Sequence, residues 1–229
     1  GLLQGTVDVG GNFLIIRTPP EGRGVRMNAL HTCFGWGALL APLAMAILGA
    51  LVERFFLRKV HVHGHAFELL ITFGVFYVIG EVVKWFWGNF PRAVDVPPFL
   101  SGAIPIFGAT YPAYRGFILL ISFLILATML YVFMKTRIGI NVRAAVSDPE
   151  MVNALGINVP RLMLGVFAGG SALAGLAGVV ASPVLSTYPG MGLDMMVDTF
   201  VVIVIGGFGS LFGAFLASIM IGELQSFGI

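Results

Sequence analysis

Three histidines alternate in one short stretch, His61, His63 and His65, inside the basic run ERFFLRKVHVHGH at 53–65. Imidazole nitrogens are common metal ligands, and a closed zinc site needs four donors. Residues at i, i+2 and i+4 face one way only in an extended strand. Apart from Glu68, no nearby carboxylate or cysteine completes a set, so a polar loop is the better account and no metal site is expected. The other charges that could act chemically lie in or beside apolar segments. Glu81 and Lys84 stand at i,i+3, which suits an ion pair on one helix face. Asp194 and Asp198 stand at i,i+4 at the start of an apolar segment, where a helix N-terminus favours carboxylates. Glu223 lies late in an apolar helix, where a charge is costly and marks a functional candidate. These carboxylates are scattered, and no nucleophile–base pair, nucleic-acid motif or GxxxxGK(S/T) phosphate loop occurs, so neither catalysis nor ATP hydrolysis by this chain is expected. The single cysteine, Cys33, forms no intrachain disulfide.

The elements that position these residues follow from composition. Of 229 residues, 58% are hydrophobic and 10% charged, against roughly 25% charged in soluble domains. The pattern predicts an all-α, polytopic transmembrane helical bundle forming a single domain over 1–229, with about six membrane segments. Their expected positions are 29–52, 66–88, 114–134, 162–185, 194–205 and 211–227. The segment 89–113 carries five prolines and reads as an external loop with short apolar or re-entrant pieces. Residues 1–27, with Arg17, Arg23 and Arg26, read as an external loop or tail. The chain does not open with Met and stops directly after an apolar helix, so further sequence is expected at both ends. Lys and Arg concentrate in 53–65 and 135–161, and the positive-inside rule puts both on the cytoplasmic side.

The fourth segment contains Gly165 and Gly169 in GxxxG spacing, which permits close helix approach. The fifth is short and ends in the cluster Gly206, Gly207, Gly209, Ser210 and Gly213. These glycines permit a tight turn and close packing of segments five and six, the favoured reading. A broken helix lining a translocation pathway is the alternative.

The charged stretch 135–161, KTRIGINVRAAVSDPEMVNALGINVPR, separates two apolar spans where a short loop would suffice. Ser147 or Asp148 can cap a helix with Pro149 at its first position and Glu150 in its first turn, running to Leu155 and stopping at Gly156. Its face offers Met151, Val152, Ala154 and Leu155. It suits docking into a partner's groove, and equally a bare surface helix.

Arg143-Ala144, then Asp148, then Gly156-Ile157-Asn158 resemble the cytoplasmic signature of permeases of branched-chain amino acid (LIV)-type ABC importers. The run from Val204 through Gly206-Gly207-Phe208-Gly209-Ser210 to Gly213-Ala214, continuing to Gly222-Glu223, resembles that family's GGxGSxxGA segment. Glu53-Arg54 followed by Leu69-Leu70-Ile71-Thr72-Phe73-Gly74 is a third match, in the same order along the chain. Residues 1–52 match poorly, and the family's N-terminal and last helices are not found.

The resemblance implies a multi-pass permease of a bacterial or archaeal cytoplasmic membrane. It implies a second permease subunit, homologous or identical, two cytoplasmic ATPases that bind ATP and Mg, and a periplasmic or lipid-anchored binding protein. This chain itself would hold no cofactor. Residues 136–161 would be the coupling segment, with Arg143, Ala144, Asp148, Glu150, Met151, Leu155 and Gly156 facing the ATPase. The aromatic-rich stretch 85–114 is a candidate contact for the binding protein, although membrane anchoring also explains its rings. The alternatives are an ATP-independent channel and a membrane-embedded enzyme.

Overall fold

A computed structural model describes residues 39–227 apart from 62–63, 92–93, 95, 98–99, 107–108, 186 and 208. The expected tail at 1–27, Cys33 and the start of the first span lie outside the described residues. The described elements are helix α1 (Leu39–Val60), α2 (His65–Trp87), strands β1 (Ala103–Ile106) and β2 (Ala109–Pro112), α3 (Ala113–Lys135), α4 (Arg137–Ser147), α5 (Pro149–Ala154), α6 (Val159–Ala181), α7 (Met191–Gly206) and α8 (Leu211–Phe227). Among the described residues, four helices are long and apolar enough to cross a membrane: α1, 67–86 within α2, α3 and α6. The chain is a helical, multi-pass membrane protein. At 16 and 17 residues, α7 and α8 are shorter than a full crossing of roughly 20.

Three local outcomes differ from the sequence reading. The first helix continues to Val60 through a π-helical turn at Glu53–Leu57, in place of a loop from residue 53. The proline-rich segment holds an antiparallel ribbon, with Ala103 opposite Pro112 and Ile106 opposite Ala109. Both strands of a two-stranded ribbon are edges, where proline's missing N–H costs no ladder bond. The charged stretch 135–161 holds two helices, α4 and α5, where one was expected.

Contacts divide the chain into two compact units, residues 1–94 with 148–189, and residues 95–147 with 190–229. In the first unit α1 packs on α6 through small residues. A side chain at Gly49 would run into Ser171, and one at Gly175 would lie 2.7 Å from Met45 Cγ and 3.4 Å from the Ala41 carbonyl. Among the described residues the GxxxG pair expected to make the close approach does not make it, since a Cβ at Gly165 or Gly169 meets none of them within 4 Å. Spacing licenses proximity but does not choose the face that uses it.

In the second unit α3 meets α8 edge-on through Phe123 and Phe215, whose ring centroids are 5.6 Å apart. The α3–α4 corner forms at Thr136, where the backbone turns extended. Thr136 Oγ1 donates to the Val132 carbonyl at 2.6 Å and accepts from the Gly139 amide at 3.4 Å. A Cβ at Gly139 would collide with the Phe133 backbone, so only glycine lets α4 fold back this closely.

Candidate functional site

The stretch 147–159 is built from local capping. Asp148 is the N-cap of α5, and its Oδ1 accepts from the Met151 amide at 2.9 Å. Pro149 occupies the first turn, where its missing N–H is harmless. The helix ends at Ala154 with Leu155 as its cap, one residue earlier than expected, and Gly156 follows at φ 85°. Asn153 Oδ1 accepts from the Val159 amide at 3.2 Å, which ties α5 to the start of α6. One side of this short helix is buried through Val152. Met151 and Leu155 are 58% and 72% exposed, and Glu150 is exposed with them.

Arg143 and Ala144 lie on α4, in the other unit, and both are exposed, while Gly139, Val142 and Ala145 are buried. The Arg143 guanidinium donates to the Phe133 carbonyl, so it satisfies an acceptor at the end of α3. Sequence reasoning gave Arg143 only an outward role. The bond back to α3 gives it a second task, bracing the corner.

The glycine cluster forms the α7–α8 turn. Gly207 and Gly209 have φ of 88° and 82°, a left-handed region that other residues enter only under strain. A Cβ at Gly206 would sit 2.5 Å from the Ala214 amide nitrogen, and one at Gly213 would strike the Gly206 carbonyl. Ser210 Oγ accepts from the Gly213 amide at 3.0 Å, capping the start of α8. Further along the same pair, Gln225 Nε2 donates to Asp198 Oδ1 at 3.3 Å. Because α7 begins at Met191, Asp194 stays in the first turn but Asp198 falls mid-helix. The expectation that both serve the helix N-terminus therefore holds for Asp194 alone. Glu223 is exposed on α8. Glu81 and Lys84 pair at 2.6 Å on an exposed face, as their spacing predicted.

A third cluster was not anticipated. His61 Nδ1 lies 2.5 Å from Glu68 Oε1, and His61 Nε2 lies 3.2 Å from Glu53 Oε1. The imidazole thus bridges the end of α1 and the start of α2. Glu53 is buried at 4% exposure. His63 and the side chain of His65 lie outside the described residues. The bond to Glu68 is the main cause that raises the His61 pKa above 6.5; burial opposes it, and Glu53 adds to the rise. A raised folded pKa means the contribution is complete below the unfolded value and fades as pH rises through the folded one. We expect the detergent-solubilised protein to melt at lower temperature as pH rises through this window, with the dependence weakened in His61→Gln. A pH series of thermal melts on both proteins checks this, and identical slopes would refute it. The sequence signal was a glutamate on each side of the histidine run.

Residues 14–229 match the family described as branched-chain amino acid transport system / permease component. The chain belongs to that permease family. The chain is 26% identical over 199 residues to the high-affinity branched-chain amino acid transport system permease protein BraD of Pseudomonas aeruginosa, covering 83% of this chain and 65% of that protein. It is 26% identical over 205 residues to the corresponding permease LivH of Escherichia coli K12, covering 84% of this chain and 65% of that protein. The xylose/arabinose import permease protein XylH of Sulfolobus acidocaldarius is 26% identical over 195 residues, covering 82% of this chain and 51% of that protein. The chain thus spans 65% of the length of the first two permeases. No solved structure matches the chain.

Proposed function

We propose that this chain is a membrane-spanning permease subunit of an ATP-binding cassette importer. It moves branched-chain amino acids, or related small polar or carboxylated solutes, across the cytoplasmic membrane. Separate ATPase subunits, which bind ATP and Mg, drive it; a second permease completes the pathway, and an external binding protein delivers the solute. The observation that carries this reading is the family match over residues 14–229, a range that includes α5. A capped single-sided helix with Met151 and Leu155 outward is a ready contact for a cytoplasmic partner. ATP-driven closure of the ATPases biases the permease only where their contacts differ between its inward- and outward-facing states. The glycine turn and Asp198 give the pathway side its candidates, since an ionisable group midway along an apolar helix is a functional site by default.

The test is co-purification with the candidate ATPases, then uptake into vesicles with a panel of labelled solutes. ATP-dependent uptake of a branched-chain amino acid is the expected result, and flux without ATP would overturn the importer reading in favour of a channel. Within that assay, Arg143→Ala, Asp148→Ala and Glu150→Ala are expected to separate ATP hydrolysis from uptake. For Asp148, loss of the cap alone costs about 1 kcal/mol, so protein levels should hold while uptake falls. Normal uptake with substrate-stimulated hydrolysis in all three would remove the coupling role.

A further inference from the structure

The small-residue seam between α1 and α6 opens, at the end of α1, into a cavity of about 360 Å³. Its lining includes three guanidiniums, Arg54 and Arg58 from the last turns of α1 and Arg161 from the first turn of α6. Among the described residues none of the three forms an ion pair with a carboxylate. Glu53 also lines the cavity, but its carboxylate is buried and engaged by His61. Three guanidiniums less one carboxylate leave a formal charge of +2 before any charge on His61. The N-terminal dipole of the 23-residue α6 adds positive potential from the same side. Asn158 Oδ1 already accepts from the Arg161 amide at 3.0 Å, so the acceptor that could have met an arginine is spent inside the helix cap.

Unpaired guanidiniums call for an anion with several oxygens, because the planar fork binds phosphate in a bidentate manner. The ends of two membrane-length helices place this cavity at the level of the lipid headgroups. Next to it, Leu51 and Phe55 on α1 are exposed apolar side chains against which acyl chains can lie. We propose that the cavity binds the phosphodiester headgroup of an anionic phospholipid, held by Arg54, Arg58 and Arg161. None of the lining residues belongs to α5 or to the glycine turn, and headgroup binding there does not depend on which solute is carried.

The test uses the full chain in phosphatidylcholine nanodiscs doped with phosphatidylglycerol, with bound lipid read by native mass spectrometry. The wild type is expected to retain phosphatidylglycerol in preference to phosphatidylcholine. Each of R54Q, R58Q and R161Q should weaken that retention roughly fivefold, and the triple variant roughly a hundredfold. Phosphatidylcholine retention should not change. Inorganic phosphate, which lacks acyl chains, should displace the lipid only at far higher concentration. Should the triple variant fail to fold, the single variants carry the test, because each removes one exposed charge. Unchanged phosphatidylglycerol retention in the single variants overturns the proposal. So does phosphate displacing the lipid at equal concentration, which would make the ligand a free anion. Arginine-dependent capture of an ATPase subunit with lipid retention unaltered would also overturn it.

Discussion

The double substitution Met151→Asp/Leu155→Asp is expected to abolish ATP-dependent uptake while leaving the protein folded. Both side chains already face outward, at 58% and 72% exposure, so acidic replacements cost the isolated chain little. The cap at Asp148 and the Asn153 tie to Val159 stay in place, so α5 keeps its position. At an interface the balance reverses. Two buried apolar anchors become two desolvated carboxylates, and central anchors are worth about 2 kcal/mol or more each. That is on the order of a thousandfold in partner affinity for the pair. Co-purification of the ATPase and vesicle uptake are the measurements. Val152→Asp is the contrast, because that residue is 4% exposed, and a buried charge there should unfold α5 and lower expression. Uptake near wild type in the double variant would leave α5 a bare surface helix.

Gly213→Val is expected to disable the permease by a different route. A Cβ at this position strikes the Gly206 carbonyl, a backbone atom that no rotamer change can move. Overpacking of this kind costs typically 1–3 kcal/mol and more where backbone must shift. Separating α7 from α8 would also break the Asp198–Gln225 bond further along the pair. On the same helix, Gly222→Ala should be tolerated, because its Cβ meets nothing within 4 Å. Ala is also the better helix former by about 1 kcal/mol. Thermal melting in detergent and solute uptake should both separate these two variants. Equal behaviour would mean that the turn tolerates more space than its backbone contacts imply.

Features carried by a few adjacent residues were legible in the sequence. Asp148-Pro149-Glu150 announces a helix start because cap, ring and first-turn acid act within one turn, and the helix begins there. Lys84 finds Glu81 for the same reason. What escaped depends on a neighbour distant in sequence or on a change of helical register. Gly165 and Gly169 have the right spacing, yet Gly49, Ser171 and Gly175 make the approach, since the choice lies in how α1 meets α6. Helix α4 carries an amphipathic signal, with Gly139, Val142 and Ala145 on one buried face, but it was missed because a helix was sought only after the Ser147-Asp148-Pro149 start. It forms because Thr136, Gly139 and Arg143 all bond or pack onto the last turn of α3. The histidine run read as part of a polar loop, but His61 caps a helix that continues past residue 52 to Val60.

That extension passes through the π turn at Glu53–Leu57, closed by the Arg58 amide donating to the Glu53 carbonyl five residues back. In a regular helix, a residue eight positions beyond Glu53 falls about 80° around the axis from it, at 3.6 residues per turn. A π turn takes up one more residue per circuit, and this cancels most of the offset, so His61 comes back in phase with Glu53. The single extra residue therefore works as a phase corrector. Deleting one residue within 54–57 would restore regular helical geometry and keep the phase, because His61 would then stand seven positions beyond Glu53, about 20° around the axis. Straightening the turn without shortening the chain is what would carry His61 about 80° off its glutamate.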